Sequence, residues 1–300
     1  MFTDDVVREI AQAAAHLGLE PALLLAVAEV ESAGKAFAVV KGRREPLIRF
    51  EGHYFDRRLD EEKRTFARRK GLASPEAGAI ANPASQAARW RMVEAAAAID
   101  AKAAFESVSW GLGQVMGSHW AWLGYASVDA LAADARSGVA GQAGLMLKYI
   151  EKAGLTEALR KRDWAAFARG YNGPGYKQNA YDAKIAAAYR RYAGGDDGDA
   201  APADAPDGSG LLQQGSRGDA VAKLQQDLAA LGYPVVADGI FGPLTKIALL
   251  AFQEDHDLDT DGIAGPRTLA ALRLALPEAA EGPGLWSVLA AWLARLFGRS

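Results

Sequence analysis

Along the first 193 residues, apolar positions return every three or four places, the spacing of one face of an α-helix. "MFTDDVVREIAQAAAHLG" carries that spacing, and "PALLLAVAEVES" after it is almost wholly apolar. Pro21 stands where a first helical turn tolerates proline, and Gly34 where a helix stops. Asn82-Pro83 opens "PASQAARWRMVEAAAAI" as another helix, Ser127 caps "VDALAAD", and 136–153 and 177–192 repeat the helical spacing. The main strand-like exception is "EPLIRFEGHYF", residues 45–55, short and bounded by Pro and Gly. The expected fold is mainly α.

The pattern breaks at 194–210, "GGDDGDAAPADAPDGSG", which holds no large apolar residue and is expected to be a solvated, flexible acidic linker. It divides a domain over 1–193 from a small unit over 211–276. That unit repeats itself: "DGIFGPLTKIALLAFQ" starts at Asp238 and "DGIAGPRTLAAL" at Asp261, 23 residues on. Each copy is a D-G turn and a helix entered at a proline. With "GDAVAKLQQDLAALGY" ahead of them they predict a three-helix bundle. Within the last stretch, 283–300, Leu285, Val288, Leu289, Trp292, Leu293 and Leu296 fall on one helical face, with Arg295 and Arg299 as its charges. That is the pattern of an interfacial helix meeting an anionic membrane surface, or of a helix docked on the bundle or pairing between chains.

Composition narrows the chemistry. The chain has 300 residues, a formal charge of −3 and no cysteine, so it has neither disulfides nor thiolate chemistry, and its charge does not mark a nucleic-acid partner. Four histidines without ligand spacing predict no metal, and no cofactor is expected. No run reaches the ~18–20 apolar residues of a membrane span. The acidic start lacks the form of a signal peptide, so the expected route is synthesis in the cytoplasm and release afterwards. Residues 41–70 hold eleven Lys or Arg against six Asp or Glu. This reads first as a solvated basic face, and second as an attraction for anionic envelope polymers.

The candidate chemistry begins with Glu31. It lies three, four and seven residues after Ala28, Val27 and Leu24, so it ends their stripe, while Glu29 points away and is read as structural. Burial and the negative end of a helix both raise a carboxyl pKa, which is what a general acid needs. Taken alone, the stretch reads more simply as a solvated helix-end glutamate. Two later segments change that balance. "ESVSWGLGQVMGSHW", 106–120, packs serine, glycine, Gln114 and aromatics into a helix start, and "WAAFARGYNGPGY", 164–176, ends a helix in Tyr171-Asn172. Aromatic faces and amides suit sugars.

In that order, "AVAEVESAG", "PLIRFEGHYF", "SWGLGQVMGSHW" and "YNGPGY" resemble the N-acetylmuramidase domain of phage and prophage endolysins, within the lysozyme-like superfamily. The resemblance spans most of 5–192. It implies a lysozyme-like helical catalytic domain that cuts the β-1,4 bond between N-acetylmuramic acid and N-acetylglucosamine. Glu31 would be the acid, and Glu51 a base or stabilising carboxylate unless it is only a salt-bridge partner of Arg49 or Arg57. The resemblance also implies a cleft contacting glycan through His53, Ser109, Gln114, Tyr171, Asn172 and Tyr176. Glu106, also followed by serine, reads as a capping or surface residue, and His119 as cleft wall or packing. Residues 211–274 resemble the peptidoglycan-binding type 1 module, with Asp238, Gly239, Phe241, Asp261 and Gly262 as its implied wall-binding positions. The partner so implied is the glycan strand of peptidoglycan, met by a monomer. Two rivals stay open: a lytic transglycosylase, which needs one carboxyl, and a wall-binding protein without activity.

Overall fold

The structure, a computed structural model, describes residues 1–16, 18–194 and 211–276. Most of the expected acidic linker (195–210) and the whole expected amphipathic tail (283–300) lie outside the described residues. The chain is mostly helical. It opens with α1 (Asp4–His16) and α2 (Pro21–Ser32), then a hairpin of β1 (Phe37–Val40) and β2 (Arg43–Pro46). Strand β3 (Ile48–Phe50) is followed by α3 (Gly52–Arg58), α4 (Glu61–Arg69), α5 (Gln86–Ala97) and α6 (Ala101–Glu106). Next come β4 (Val108–Trp110) and β5 (Val115–Met116), then α7 (Val128–Ser137), α8 (Val139–Lys152), α9 (Thr156–Arg160), α10 (Trp164–Asn172) and α11 (Tyr181–Tyr192). The C-terminal module is α12 (Asp219–Ala230), α13 (Pro243–Asp255) and α14 (Pro266–Ala275). Among the described residues, no helix is long and apolar enough to cross a membrane.

Helix α2 is apolar all round, and every residue from Pro21 to Ala28 is buried, so it runs through the domain rather than along its surface. It stops because Ala33 and Gly34 both turn left-handed and return their N–H groups to the Glu29 carbonyl. Glu31 therefore sits in the last turn. One core gathers α1, α2, α10, α11 and one face of α8. A second gathers β3, β4, α3, α5, α6 and α7, with Leu145 reaching into it from the other face of α8. The two cores are the two lobes of the domain.

The three-stranded sheet β3-β4-β5 is antiparallel, with Arg49 opposite Ser109 and Ser109 opposite Met116. It corrects three expectations. The strand in 45–55 ends at Phe50: the Glu51 N–H pairs with the Ser107 carbonyl, and α3 starts at Gly52, where a Cβ would sit 2.5 Å from Ile80. "GLGQ" begins no helix but is the turn between β4 and β5, with Gly111 and Gln114 at positive φ. Asn82-Pro83 does not start α5, which begins at Gln86 under a Ser85 cap bonded by the Ala88 N–H. Instead, the Asn82 amide bonds both the N–H and the carbonyl of Phe50, and Gln86 does the same for Ile48. Two side-chain amides thus stand in for a neighbouring strand along the free edge of β3. Ser127 caps α7 as expected.

Six of the eleven basic residues of 41–70 form ion pairs. Buried Asp56 takes two bonds from Arg68, which hold its carboxyl below the usual range, and Lys63 meets Asp100, Lys41 Glu94 and Arg58 Glu106.

The three-helix bundle forms as the repeat predicts, around its own core. Its two D-G-I turns are built alike. Buried Gln225 accepts from the Gly239 N–H and donates to Asp238, the Ile240 carbonyl and Thr245. Gln253 does the same for Gly262, Asp261, Ile263 and Thr268. Both α13 and its docking are continuous with the large domain: Leu244 and Ile247 are buried in the first core, and Arg8–Glu254 and Asp4–Lys246 pair across the junction. Replacing Gln253 by Leu strands a buried N–H and a carbonyl, at about 1–3 kcal/mol for each unsatisfied group. The expected outcome in the intact chain is faster hydrogen exchange at Gly262 and Ile263, while the amides of α2 keep their protection.

Candidate active site

The Glu31 carboxyl emerges where the first core ends. Its Oε1 accepts one hydrogen bond, from Asn172 Nδ2 at 2.6 Å. Asn172 is the last residue of α10, and the residue before it fixes that end: Tyr171 donates its hydroxyl to the Gly113 carbonyl at 2.7 Å and stacks on Phe167. A Cβ on Gly113 would lie 2.7 Å from that hydroxyl and 2.6 Å from Met146, so the second glycine of "GLGQ" is there for close approach. Ser32, next to the carboxylate, bonds back to the Ala28 carbonyl and plays no part in the opening.

Burial pushes the Glu31 pKa up to about 7, against the opposing pull of the Asn172 hydrogen bond, which favours the charged form. Tyr149, Tyr171 and Tyr181 lie within the reach of its charge. All three phenols are pushed up, first by burial and then by the Glu31 charge. The result is a carboxylic acid that is half protonated near neutral pH and lined by aromatic rings.

Glu51 comes from the other lobe, at the N-cap of α3. Arg49 Nε lies 2.8 Å from its Oε1, and His53 Nδ1 3.6 Å from its Oε2. The Glu51 side chain keeps 18 % of its surface exposed. Arg49 also acts on Tyr181, which Glu31 acts on as well. Tyr181 is thus a neighbour that both charged groups act on.

The remaining expectations divide. Tyr171 and Asn172 belong to the Glu31 pocket. Gln114 lies in the hairpin turn below it, donating to the Gly111 carbonyl. His53 packs on Tyr54 beside Glu51. Tyr176 does not belong: it is 3 % exposed within the first core and offers no face to a ligand. Ser109 is also buried, its hydroxyl spent on Met116 Sδ. In the module, Asp238, Gly239, Asp261 and Gly262 are tied to Gln225 and Gln253 as turn residues, and Phe241 is core. Glu106 accepts from Arg58 and from Trp120 Nε1, and Glu29 from Arg191 and Tyr192; both hold structure. Sequence reasoning missed Tyr149 and Tyr181, whose helical spacing marks only a partly buried face.

A family model described as N-acetylmuramidase matches residues 20–193, more than half of the chain. The chain belongs to the N-acetylmuramidase family. A second model, described as a putative peptidoglycan-binding domain, matches residues 217–272 of the chain. The crystal structure of a Burkholderia AP3 phage endolysin is similar to it at 33 % identity and a TM-score of 0.53, over 64 % of this chain and 71 % of that one. Among curated relatives, a zinc D-Ala-D-Ala carboxypeptidase of Streptomyces albus G is 49 % identical over 65 residues, 20 % of this chain and 25 % of that protein. The N-acetylmuramoyl-L-alanine amidase CwlM of Mycobacterium tuberculosis is 48 % identical over 56 residues, 18 % of this chain and 14 % of that protein. The chain thus spans a quarter or less of the length of these two relatives.

Two measurements check the electrostatics without reference to activity. In a carbon-13 titration the Glu31 carboxyl should titrate near pH 7, and Asn172→Leu should move it upward, because the bond that favours the anion is gone. Folding stability should follow the same proton. A carboxyl whose folded pKa is raised contributes fully below its unfolded value, 4.5, and that contribution is lost as pH rises through about 7. Glu31→Gln should therefore be more stable than the wild type by about 3 kcal/mol at pH 8, at ~1.4 kcal/mol per pKa unit, and by almost nothing at pH 4. Chemical denaturation at the two pH values reads the difference.

Proposed function

We propose that this muramidase is a peptidoglycan hydrolase that cuts the β-1,4 bond between N-acetylmuramic acid and N-acetylglucosamine by acid–base catalysis. The observation that carries the reading is the Glu31 carboxyl: part-buried at a helix end, raised to about 7 and bonded by a single amide. Held protonated, it gives its proton to the leaving glycosidic oxygen as the bond breaks. Glu51, carried by the other lobe and partly open to solvent, activates the incoming water or stabilises the oxocarbenium ion. The C-terminal module holds the enzyme on the insoluble wall. Support for the substrate comes from the family match, the phage endolysin neighbour and the second, peptidoglycan-binding match.

One observation favours a second reading. Glu51 is engaged by Arg49, and a carboxylate neutralised by an arginine is a poorer base. A lytic transglycosylase, in which the muramic 6-hydroxyl replaces water, needs only Glu31.

Digestion of purified peptidoglycan with mass spectrometry of the fragments separates the readings. Reducing muramic ends identify a hydrolase, 1,6-anhydro ends a transglycosylase, and wall binding without any release a non-catalytic protein. Glu31→Gln should lower turnover by about 10²–10⁴-fold with wall binding intact. Glu51→Gln should fall in the same range if water is the acceptor. Turnover near wild type with anhydro products would remove Glu51 from the mechanism.

A further inference from the structure

A continuous row of rings leads from the Glu31 pocket to the surface. Tyr171 meets Tyr149 edge-on with centroids 5.1 Å apart. Tyr149 in turn meets His119 at 5.5 Å and Trp122 edge-on at 5.8 Å, and His119 and Trp122 lie 5.5 Å from each other. At the inner end, Tyr149 and Tyr171 lie in the field of the Glu31 carboxylate. At the outer end, Trp122 is 45 % exposed, the most open of the tryptophans among the described residues.

An exposed indole alone is ordinary. This one is held from behind. Its edge rests on Tyr149 and its flank on His119, so it presents a fixed apolar face rather than a swinging one. Burial and the Arg58 guanidinium keep the His119 ring below its ordinary pKa, so it packs as a neutral ring near neutral pH. A pyranose ring has an apolar C–H face and a polar rim, and a rigid, partly wetted indole matches both at small entropic cost. The glycan is a linear polymer. A sugar at the scissile bond next to Glu31 has neighbours along the strand, and the ring row gives the direction in which one of them runs.

We propose that Trp122, backed by His119 and Tyr149, is a stacking platform for a sugar residue of the glycan strand remote from the bond that is cut. The proposal rests on the peptidoglycan-hydrolase reading and adds a determinant of strand-length preference to it. Trp122 binds sugar and takes no part in the chemical step.

Two arms test it in the full-length chain. In the kinetic arm, Trp122→Ala should raise KM for long, peptide-free glycan strands about tenfold with kcat changed less than twofold, and Trp122→Phe should restore most of the loss. Fragments too short to reach the platform should be cut equally by both proteins. In the binding arm, Glu31→Gln protein titrated with glycan oligomers of increasing length should gain affinity stepwise, and Glu31→Gln/Trp122→Ala should lack the step at the longer lengths. Equal KM values and superimposed binding curves would overturn the platform while leaving the hydrolase reading standing, provided wild type cuts and Glu31→Gln does not. If wild type releases no fragment, the binding arm decides alone: a Trp122-dependent step upholds the platform without hydrolysis, and no glycan binding by either protein overturns both.

Discussion

The rest of this structure depends on one carboxyl group placed where folding would not place it. An ionised glutamate in apolar surroundings is unfavourable at neutral pH. The Glu31 site accepts that cost because everything supporting it is strongly stabilised. Helix α2 is buried on all sides, a stop formed by Ala33 and Gly34 leaves Glu31 in the last turn, and α10 is held to the β4–β5 turn so that Asn172 reaches the carboxylate. The two lobes give the group its character together. One provides the helix end, the other the Arg49–Glu51 pair, and Tyr181 feels the charge of both Glu31 and Arg49.

Much of this was legible in the chain. The apolar run of α2 and its glycine stop are written locally, as are the D-G turns and proline helix starts of the module, so periodicity and turn chemistry suffice for them. Glu31 was legible for the same reason: its place at the end of the apolar stripe is a matter of spacing. What escaped is decided by partners distant in sequence. "GLGQ" carries residues common at helix starts, but β3, 60 residues earlier, offers an edge and β4 takes it, so a hairpin turn wins. Asn82 has the look of a helix start and is taken by the Phe50 backbone 32 residues away. Tyr176 stands in a loop-like glycine-proline motif, and nothing local says that it turns inward.

The module shows a subtler gap. Its acidic turns look like exposed binding positions because Asp and Gly are exposed in most turns. Here they are consumed by a buried glutamine from the preceding helix, twice over. The signal was present: Gln225 and Gln253 each follow a large apolar residue and precede an aspartate by two, in "LQQD" and "FQED". Its two glutamines are 28 residues apart, out of step with the 23-residue spacing of the turns, so a search for the turn alone passes over it.

The seat of α13 on α1 has a geometric consequence. Leu244 and Ile247 sink into the same core that carries α2, and Gly194, at the end of α11, lies against Ile240 and Gly242. A module on a loose tether lets its partner sample a volume. A module seated in the core that carries α2 would, on the proposed reading, hold the wall contact and the Glu31 carboxyl at a constant separation and angle. On the proposed reading, attachment then works as a ruler: each seating on the polymer brings one short arc of strand within reach of the Glu31 carboxyl.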